Sequence, residues 1–456
     1  MNPYEFAETH QADFLEELKE WVRIPSISTT AEHKADIRRA AEWAKAQLTT
    51  IGMTRTEIFE TAGHPVVYGE WLGARAARTV LIYGHYDVQP TDDPEHQWRT
   101  DPFEPVVHDG KLYGRGATDD KGQTFTQMKA IQSLLASGEM PVNVKFIIEG
   151  EEENGSDHLY PFVEEHTDLL KADVIVISDT HMMGLDRPSI VVGLRGMVSM
   201  EMEVRGPSQD LHSGLYGGVV HNPAQALVEI LAELHDENGH ITVPGFYDRV
   251  RELSDEERAE LARVPFSAEQ LKEETGVARA WGEPDYTFRE RIGTRPTLEI
   301  NGLVGGWTGE GGKTVIPARA VAKVSCRLVP AQKPLEIYEQ IRDYVAEITP
   351  ASVTSEVRLL HKGMWALVDS ESPYMWAAVG AYEFGFGTRP VFVREGGSIP
   401  IVGFFQEKLG VPVILMGFGL PDDNLHGPNE KFTLECFYRG MKTAIRFYQE
   451  IGATNR

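Results

Sequence analysis

Four short apolar runs punctuate the chain: VLIYGHYD from Val80 to Asp87, VNVKFIIEG ending at Gly150, ADVIVISD ending at Asp179, and VPVILMGFG beginning at Val411. Runs of this length without polar alternation are what strands buried on both faces require. Each gives way to residues that can ligate a metal: the first to His85 and Asp87, the second to Glu151, Glu152 and Glu153, the third to Asp179. The fourth leads through LPDDN to His426. Ligands of open α/β sheets bind beyond the carboxyl ends of the strands, so the pattern predicts a polar site along one sheet edge. Helical spacing marks residues 11–22 (Phe14, Leu15, Leu18, Trp21, Val22) and 36–50 (Ala41, Ala44, Leu48). It returns in QTFTQMKAIQSLLASG (Phe125, Met128, Ile131, Leu135), which leaves Asp119 just before a helix N-terminus.

Residues 196–361 change rhythm. The order there is strand (VSMEMEV), helix (NPAQALVEILAELHD), two strands (PTLEING, ARAVAKVSCRLV), helix (PLEIYEQIRDYVAEI) and strand (VTSEVRLLH). That is the βαββαβ order of a ferredoxin-like unit. Ligand-bearing strands lie on both sides of it. The expected architecture is therefore α/β: a mixed-sheet catalytic domain built from 1–195 and 362–456, with a ferredoxin-like domain, 196–361, inserted between. An acidic, helix-prone stretch from Ser254 to Glu290 is expected as an insertion within that second domain.

Charge narrows the function. Among 456 residues, 44 Lys and Arg stand against 69 Asp and Glu, a net charge of −25. This balance argues against nucleic acid or an anionic membrane as the main partner and favours cation binding. The two cysteines, Cys326 and Cys436, are too few for a disulfide framework or a thiolate zinc site. A metal must then be held by His, Asp and Glu. Residues 1–22 are acidic and helix-patterned, unlike a signal peptide, and no apolar run approaches a membrane span, so the expected compartment is the cytoplasm. Nucleotide motifs fail: the third glycine of a dinucleotide fingerprint starting at Gly114 falls on Asp119, and the first glycine of a phosphate loop in GEGGKT falls on Trp307.

His85 and Asp87 are two apart on extended backbone, so their side chains share a face and the carboxylate can fix one imidazole nitrogen while the other ligates. The acidic run 151–153 meets a strand end rather than open solvent. Neighbouring residues there point opposite ways, which allows one glutamate to bind metal while the next addresses water. His212 lies in a small-residue loop, DLHSGLYGG, after a strand. His10, His33, His158, His166, His235 and His240 have no chemical context and are assigned nothing.

Taken together, GHYDVQP, PFEP, GKLYGRGATDDKG, EENGS, DLHSGLYGG, KTVIP, RLVP, REGGSIP and the spacing from His426 to Glu430 closely resemble the di-metal aminoacylase, carboxypeptidase G and dipeptidase family, over nearly the whole chain. The resemblance is strongest to its cytosolic non-specific dipeptidase branch. It implies two divalent ions, zinc or manganese, one held by His85, Asp119 and Asp179 and the other by Asp119, Glu153 and His426. It selects Asp119 over Asp120 as the bridge, and Glu152 as the general base beside the ligand Glu153. Asp87 would orient His85. It further implies His212 as an oxyanion donor reaching across a homodimer interface, and Thr314, Arg327, His361 and Ser398 as substrate contacts. The expected activity is hydrolysis of dipeptides with a free C-terminal carboxylate. N-acyl amino acid deacylation or carboxypeptidase action by the same machinery is the alternative. A di-metal phosphatase would want basic groups near the ligands, where the sequence offers acids, and a non-catalytic metal binder would not need Glu152.

Overall fold

The computed structural model describes residues 1–75, 77–91, 95–397 and 399–453. Its first segments are α1 (Pro3–Thr9), α2 (Gln11–Val22), α3 (Lys34–Thr50), β1 (Arg55–Phe59), β2 (Val66–Trp71) and β3 (Thr79–His85). Next come β4 (Val106–His108), β5 (Lys111–Tyr113), α4 (Lys121–Ser137), β6 (Asn143–Glu149), α5 (Leu159–Glu165), β7 (Val174–Ile177) and β8 (Ser189–Leu194). The middle of the chain supplies β9 (Gly196–Arg205), β10 (Leu211–His212), α6 (Ser213–Tyr216), α7 (Pro223–Ala232), α8 (Asp255–Ala262), α9 (Ala268–Thr275), α10 (Phe288–Thr294) and β11 (Thr297–Gly305). It continues with β12 (Val315–Ile316), β13 (Arg319–Leu328), α11 (Pro334–Ile348), β14 (Thr354–Gly363) and β15 (Ala366–Leu367). The last part holds α12 (Pro373–Phe386), β16 (Val391–Glu395), α13 (Pro400–Leu409), β17 (Val413–Leu415), β18 (Lys431–Thr433) and α14 (Leu434–Ala453).

Two compact units result, one of Met1–Val192, Val368–Phe392 and Phe404–Arg456, the other of Gly193–Leu367 with Val393–Gly403. In the first, the strands run β1-β2-β6-β3-β7-β17-β8. The inner four, β6, β3, β7 and β17, are mutually parallel, while β2 joins β6 and β8 joins β17 antiparallel. Being central, they are apolar on both faces: Val80 to Tyr83, Phe146 to Ile148, Val174 to Ile177 and Val413 to Leu415 are all buried. Their parallel direction sets all four carboxyl ends on one edge. Helix α4 packs against β3 and α14. Its approach to the strand leaves no room for a side chain at Gly84, where a Cβ would lie 1.8 Å from Thr124 Oγ1.

The second unit carries a four-stranded antiparallel sheet, β11-β13-β9-β14. Helices α7 and α11 pack on it. The strands alternate as a one-sided sheet should: Val198, Met200, Met202, Ala320, Ala322, Val324 and Cys326 are buried with Leu227, Ile230, Ile337 and Ile341 from the helices. The acidic stretch folds as α8, α9 and α10, each opened by a capping box, Ser254 with Glu257, Ser267 with Gln270 and Thr287 with Glu290. The sequence reading placed everything after residue 361 in the catalytic domain, whereas Val393–Gly403 packs with this second unit. Arg195 explains the difference, since its backbone N–H donates to Gly397 O (3.2 Å) and its Nε to Gly396 O (3.1 Å). No helix among the described residues is long and apolar enough to cross a membrane.

Candidate metal centre

The four parallel strands of the first unit converge their following loops at one edge. Strand β3 delivers His85 itself; β6 runs through Gly150 into the turn Glu152–Asn154; β7 is followed by Asp179; and the chain after β17 reaches His426. Asp119 enters from the start of α4.

His85 is fully buried. Its Nδ1 lies 3.1 Å from the Asp87 carbonyl oxygen and 3.3 Å from Asp87 Oδ1. A proton on Nδ1 satisfies both acceptors and turns the lone pair of Nε2 into the site. That Nε2 stands 3.1 Å from Asp119 Oδ1 and 4.0 Å from Asp179 Oδ2. The other oxygen of Asp119, Oδ2, is 3.0 Å from His426 Nε2, which is in turn 3.2 Å from Glu153 Oε2. Asp119 thus offers one oxygen to each histidine. Two ligand groups follow, His85 with Asp119 and Asp179, and Asp119 with Glu153 and His426, the donor atoms of each lying within 4.8 Å of one another.

The neighbouring acids are engaged elsewhere. Asp120 Oδ2 accepts from the His85 backbone N–H (3.3 Å) and from Thr124 Oγ1 (2.6 Å). Glu151 is buried against His158, whose Nδ1 lies 2.8 Å from its Oε1. Asp87 does more than face His85: its Oδ1 accepts from the Glu152 N–H (3.2 Å) and its Oδ2 from the Glu153 N–H (3.1 Å). One carboxylate therefore fixes both the imidazole and the acidic turn. Gln89, quoted within GHYDVQP but given no role, donates Nε2 to Glu153 Oε2 at 2.8 Å. Its place within GHYDVQP, two residues beyond Asp87, was the available signal.

With protein charges alone this edge is strongly electronegative. Burial raises the carboxyls of Glu152, Asp179 and Glu153, helped by the surrounding acids. Burial opposes charge on His85, yet Asp119 and Asp87 lift it well above the imidazole range; Asp119 and Glu153 lift His426 to about 10. Burial also pushes Glu149 up to about 8, against the hydrogen bonds it accepts from Tyr83 Oη (2.7 Å) and Ser156 Oγ (2.9 Å), which favour its ionised form. Crowded carboxylates with too few cations fit divalent metal. So does His85 Nε2, a buried nitrogen that makes no hydrogen bond while facing two carboxylates. Nitrogen and oxygen donors of this kind suit zinc or manganese.

The remaining candidates lie in the second unit. β10 pairs with β12, setting His212 opposite Val315, and the Ser213 N–H donates to Thr314 O (3.1 Å). His212 and Thr314 are therefore neighbours, both exposed. Arg327, partly buried, sits opposite Met197 of β9, and His361 of β14 sits opposite Ser199. These two are neighbours across β9, at the end far from His212. Ser398 lies outside the described residues.

The model of peptidase family M20/M25/M40 matches residues 81–450. A Cys-Gly metallodipeptidase of Schizosaccharomyces pombe is 34% identical over 470 residues, covering 99% of this chain and 98% of its own. The crystal structure of human carnosine dipeptidase 1 superposes with a TM-score of 0.84 at 33% identity, over 99% of this chain and 98% of that one. A metallo-carboxypeptidase of the same family, from Sulfolobus solfataricus, gives 0.87 at 33% identity, over 96% and 99%. With two histidine and carboxylate clusters sharing Asp119 at the strand edge and relatives that align from end to end, the chain belongs to peptidase family M20/M25/M40.

Proposed function

We propose that this protein is a two-metal dipeptidase that hydrolyses the peptide bond of dipeptides bearing a free C-terminal carboxylate. The observation that carries the reading is Asp119, with one oxygen toward His85 and the other toward His426. In this reading zinc or manganese is held by His85, Asp119 and Asp179 on one side and by Asp119, Glu153 and His426 on the other. Bound there, the ions supply Lewis acidity to the scissile carbonyl and bring the pKa of water toward ~7. Glu152, whose carboxyl is raised by burial, takes the proton from that water and returns it to the leaving amine. Asp87 holds the base in register through the Glu152 N–H. Arg327 donates from its planar fork to the substrate carboxylate, with Thr314, His361 and Ser398 as further contacts.

His212 is assigned as the oxyanion donor. Its Nδ1 accepts the Gly214 N–H at 3.0 Å, so in the neutral ring the proton is on Nε2, which can donate to a developing oxyanion. The same unit supports a homodimer. His212 and Thr314 lie past the Arg205 end of β9, Arg327 and His361 at its Met197–Ser199 end. Between Ser199 or Met197 and Arg205 the strand rises by roughly 20 to 26 Å, while a dipeptide spans only about 7 Å. This separation supports the reading in which His212 serves a second subunit. A surface for that subunit is available: β11 is an edge strand exposing Ile300, Leu303 and Val304. The proposed compartment is the cytoplasm, in keeping with two buried, unpaired thiols.

Subunit exchange tests the crossed arrangement. His212→Ala and Glu152→Gln are each nearly inactive; mixed with random exchange, about half the dimers are hybrids with one intact site of two, so roughly a quarter of wild-type activity returns. No recovery, with exchange shown by mass labelling, would confine His212 to its own subunit.

The reaction itself is tested with a panel of dipeptides, tripeptides and N-acetyl amino acids, in which dipeptides are the best substrates. Amidating the C-terminal carboxylate weakens the transition state by roughly 1.5 to 3 kcal/mol in kcat/KM, the range for a hydrogen bond to a charged group. Arg327→Lys shrinks that difference. Equal rates for acid and amide would remove Arg327 from the role, and faster N-acetyl amino acids would make the enzyme a deacylase.

A further inference from the structure

Glu430 ends the stretch that begins at His426, and it is fully buried. Its carboxylate accepts four hydrogen bonds. Oε1 takes the N–H groups of Thr118 (3.0 Å) and Asp119 (3.1 Å), and Oε2 takes the Gly116 N–H (3.1 Å) and Arg115 Nη1 (2.8 Å). Arg115 continues the chain of contacts, since its Nη2 donates to the carbonyls of His426 (3.0 Å) and Pro90 (3.3 Å).

One buried ion pair thus joins the segment carrying Asp119 to the segment carrying His426. The ladder of β18 with β5 stops at Lys431 and α4 starts at Lys121, so both end just short of the two ligands, His426 and Asp119. Asn424, His426 and Asn429 all have left-handed backbone, with φ of 56°, 60° and 60°. Such conformations in non-glycine residues persist only where surrounding contacts impose them. For His426 the contact is Arg115 on its carbonyl. For Asp119 it is the Glu430 carboxylate on its amide. A guanidinium with two donor nitrogens and a carboxylate with two oxygens can grip both segments at once.

We propose that Glu430 and Arg115 are positioning residues that set the separation between Asp119 and His426, and with it the affinity of the centre for its second ion. This rests on the two-metal reading above. Glu430 contacts neither donor atom, so its effect passes through backbone placement. Substitutions that act this way typically cost 10- to 100-fold in metal affinity.

The test uses the full chain, stripped of metal and titrated with Co²⁺ while its visible absorption is followed. Thermal melting of the stripped proteins is measured alongside. Wild type is read first: two uptake steps are expected, and no uptake would mean that the two-metal reading has itself failed and takes this proposal with it. Glu430→Gln sets an amide NH₂ against N–H donors, so uptake weakens 10- to 100-fold while the stripped variant still melts cooperatively. Arg115→Lys keeps the charge beside Glu430 but loses the second arm to the His426 carbonyl, so it weakens one step and spares the other. A merely structural role would not separate the two steps. Wild-type affinity in Glu430→Gln, or equal weakening of both steps in Arg115→Lys, overturns the proposal. Should Glu430→Gln fail to fold, the Arg115→Lys titration decides alone.

Discussion

Glu152→Gln lowers kcat by at least ~10²-fold, the low end for general acid-base catalysis, while metal content stays near wild type. The amide is nearly isosteric but cannot take a proton, and Glu152 belongs to neither ligand cluster. Its backbone N–H still anchors to Asp87, so the turn keeps its shape. Glu153→Gln behaves oppositely. Glu153 Oε2 is 3.2 Å from His426 Nε2 and is held by Gln89, so removing its charge releases metal and lowers activity through that loss. Elemental analysis beside steady-state kinetics separates the two. Exchanged phenotypes would show that base and ligand have been assigned one residue out of register.

That register marks the limit of what the residues alone disclose. The parallel strands were legible because burial on both faces strips them of polar residues, and the site edge followed from what came after each run. Edge strand β1 was not legible, since RTEIF is nowhere fully buried and so carries no pattern. The two-residue pairing of β10 with β12 is likewise too short to leave one. Between Asp119 and Asp120, or among Glu151, Glu152 and Glu153, composition gives no preference. The distinction comes from partners distant in sequence: Thr124 and the His85 amide engage Asp120, and His158 engages Glu151. The resemblance to a known family supplied the choice that periodicity could not. Gln89 and Glu430 stand within the motifs without an assigned role for a related reason, as their work is to hold other residues.

Removal of metal has the largest effect of all, complete loss of dipeptide hydrolysis. Without divalent cations the edge holds Asp119, Glu152, Glu153 and Asp179 crowded by burial, with His85 and His426 drawn into compensating that charge. Glu152 then has no acidified water to deprotonate, and the carbonyl has no electrophilic partner. Because Asp119 belongs to both clusters, occupancy of the two sites is coupled, and activity follows the filling of both. The direct measurement is a titration of chelator-stripped protein with Zn²⁺ or Mn²⁺, in which bound metal per chain is counted by elemental analysis and hydrolysis of a dipeptide is followed on the same samples. The account predicts no activity in stripped protein and full activity at two ions per chain; full activity in protein shown to contain no metal would contradict it.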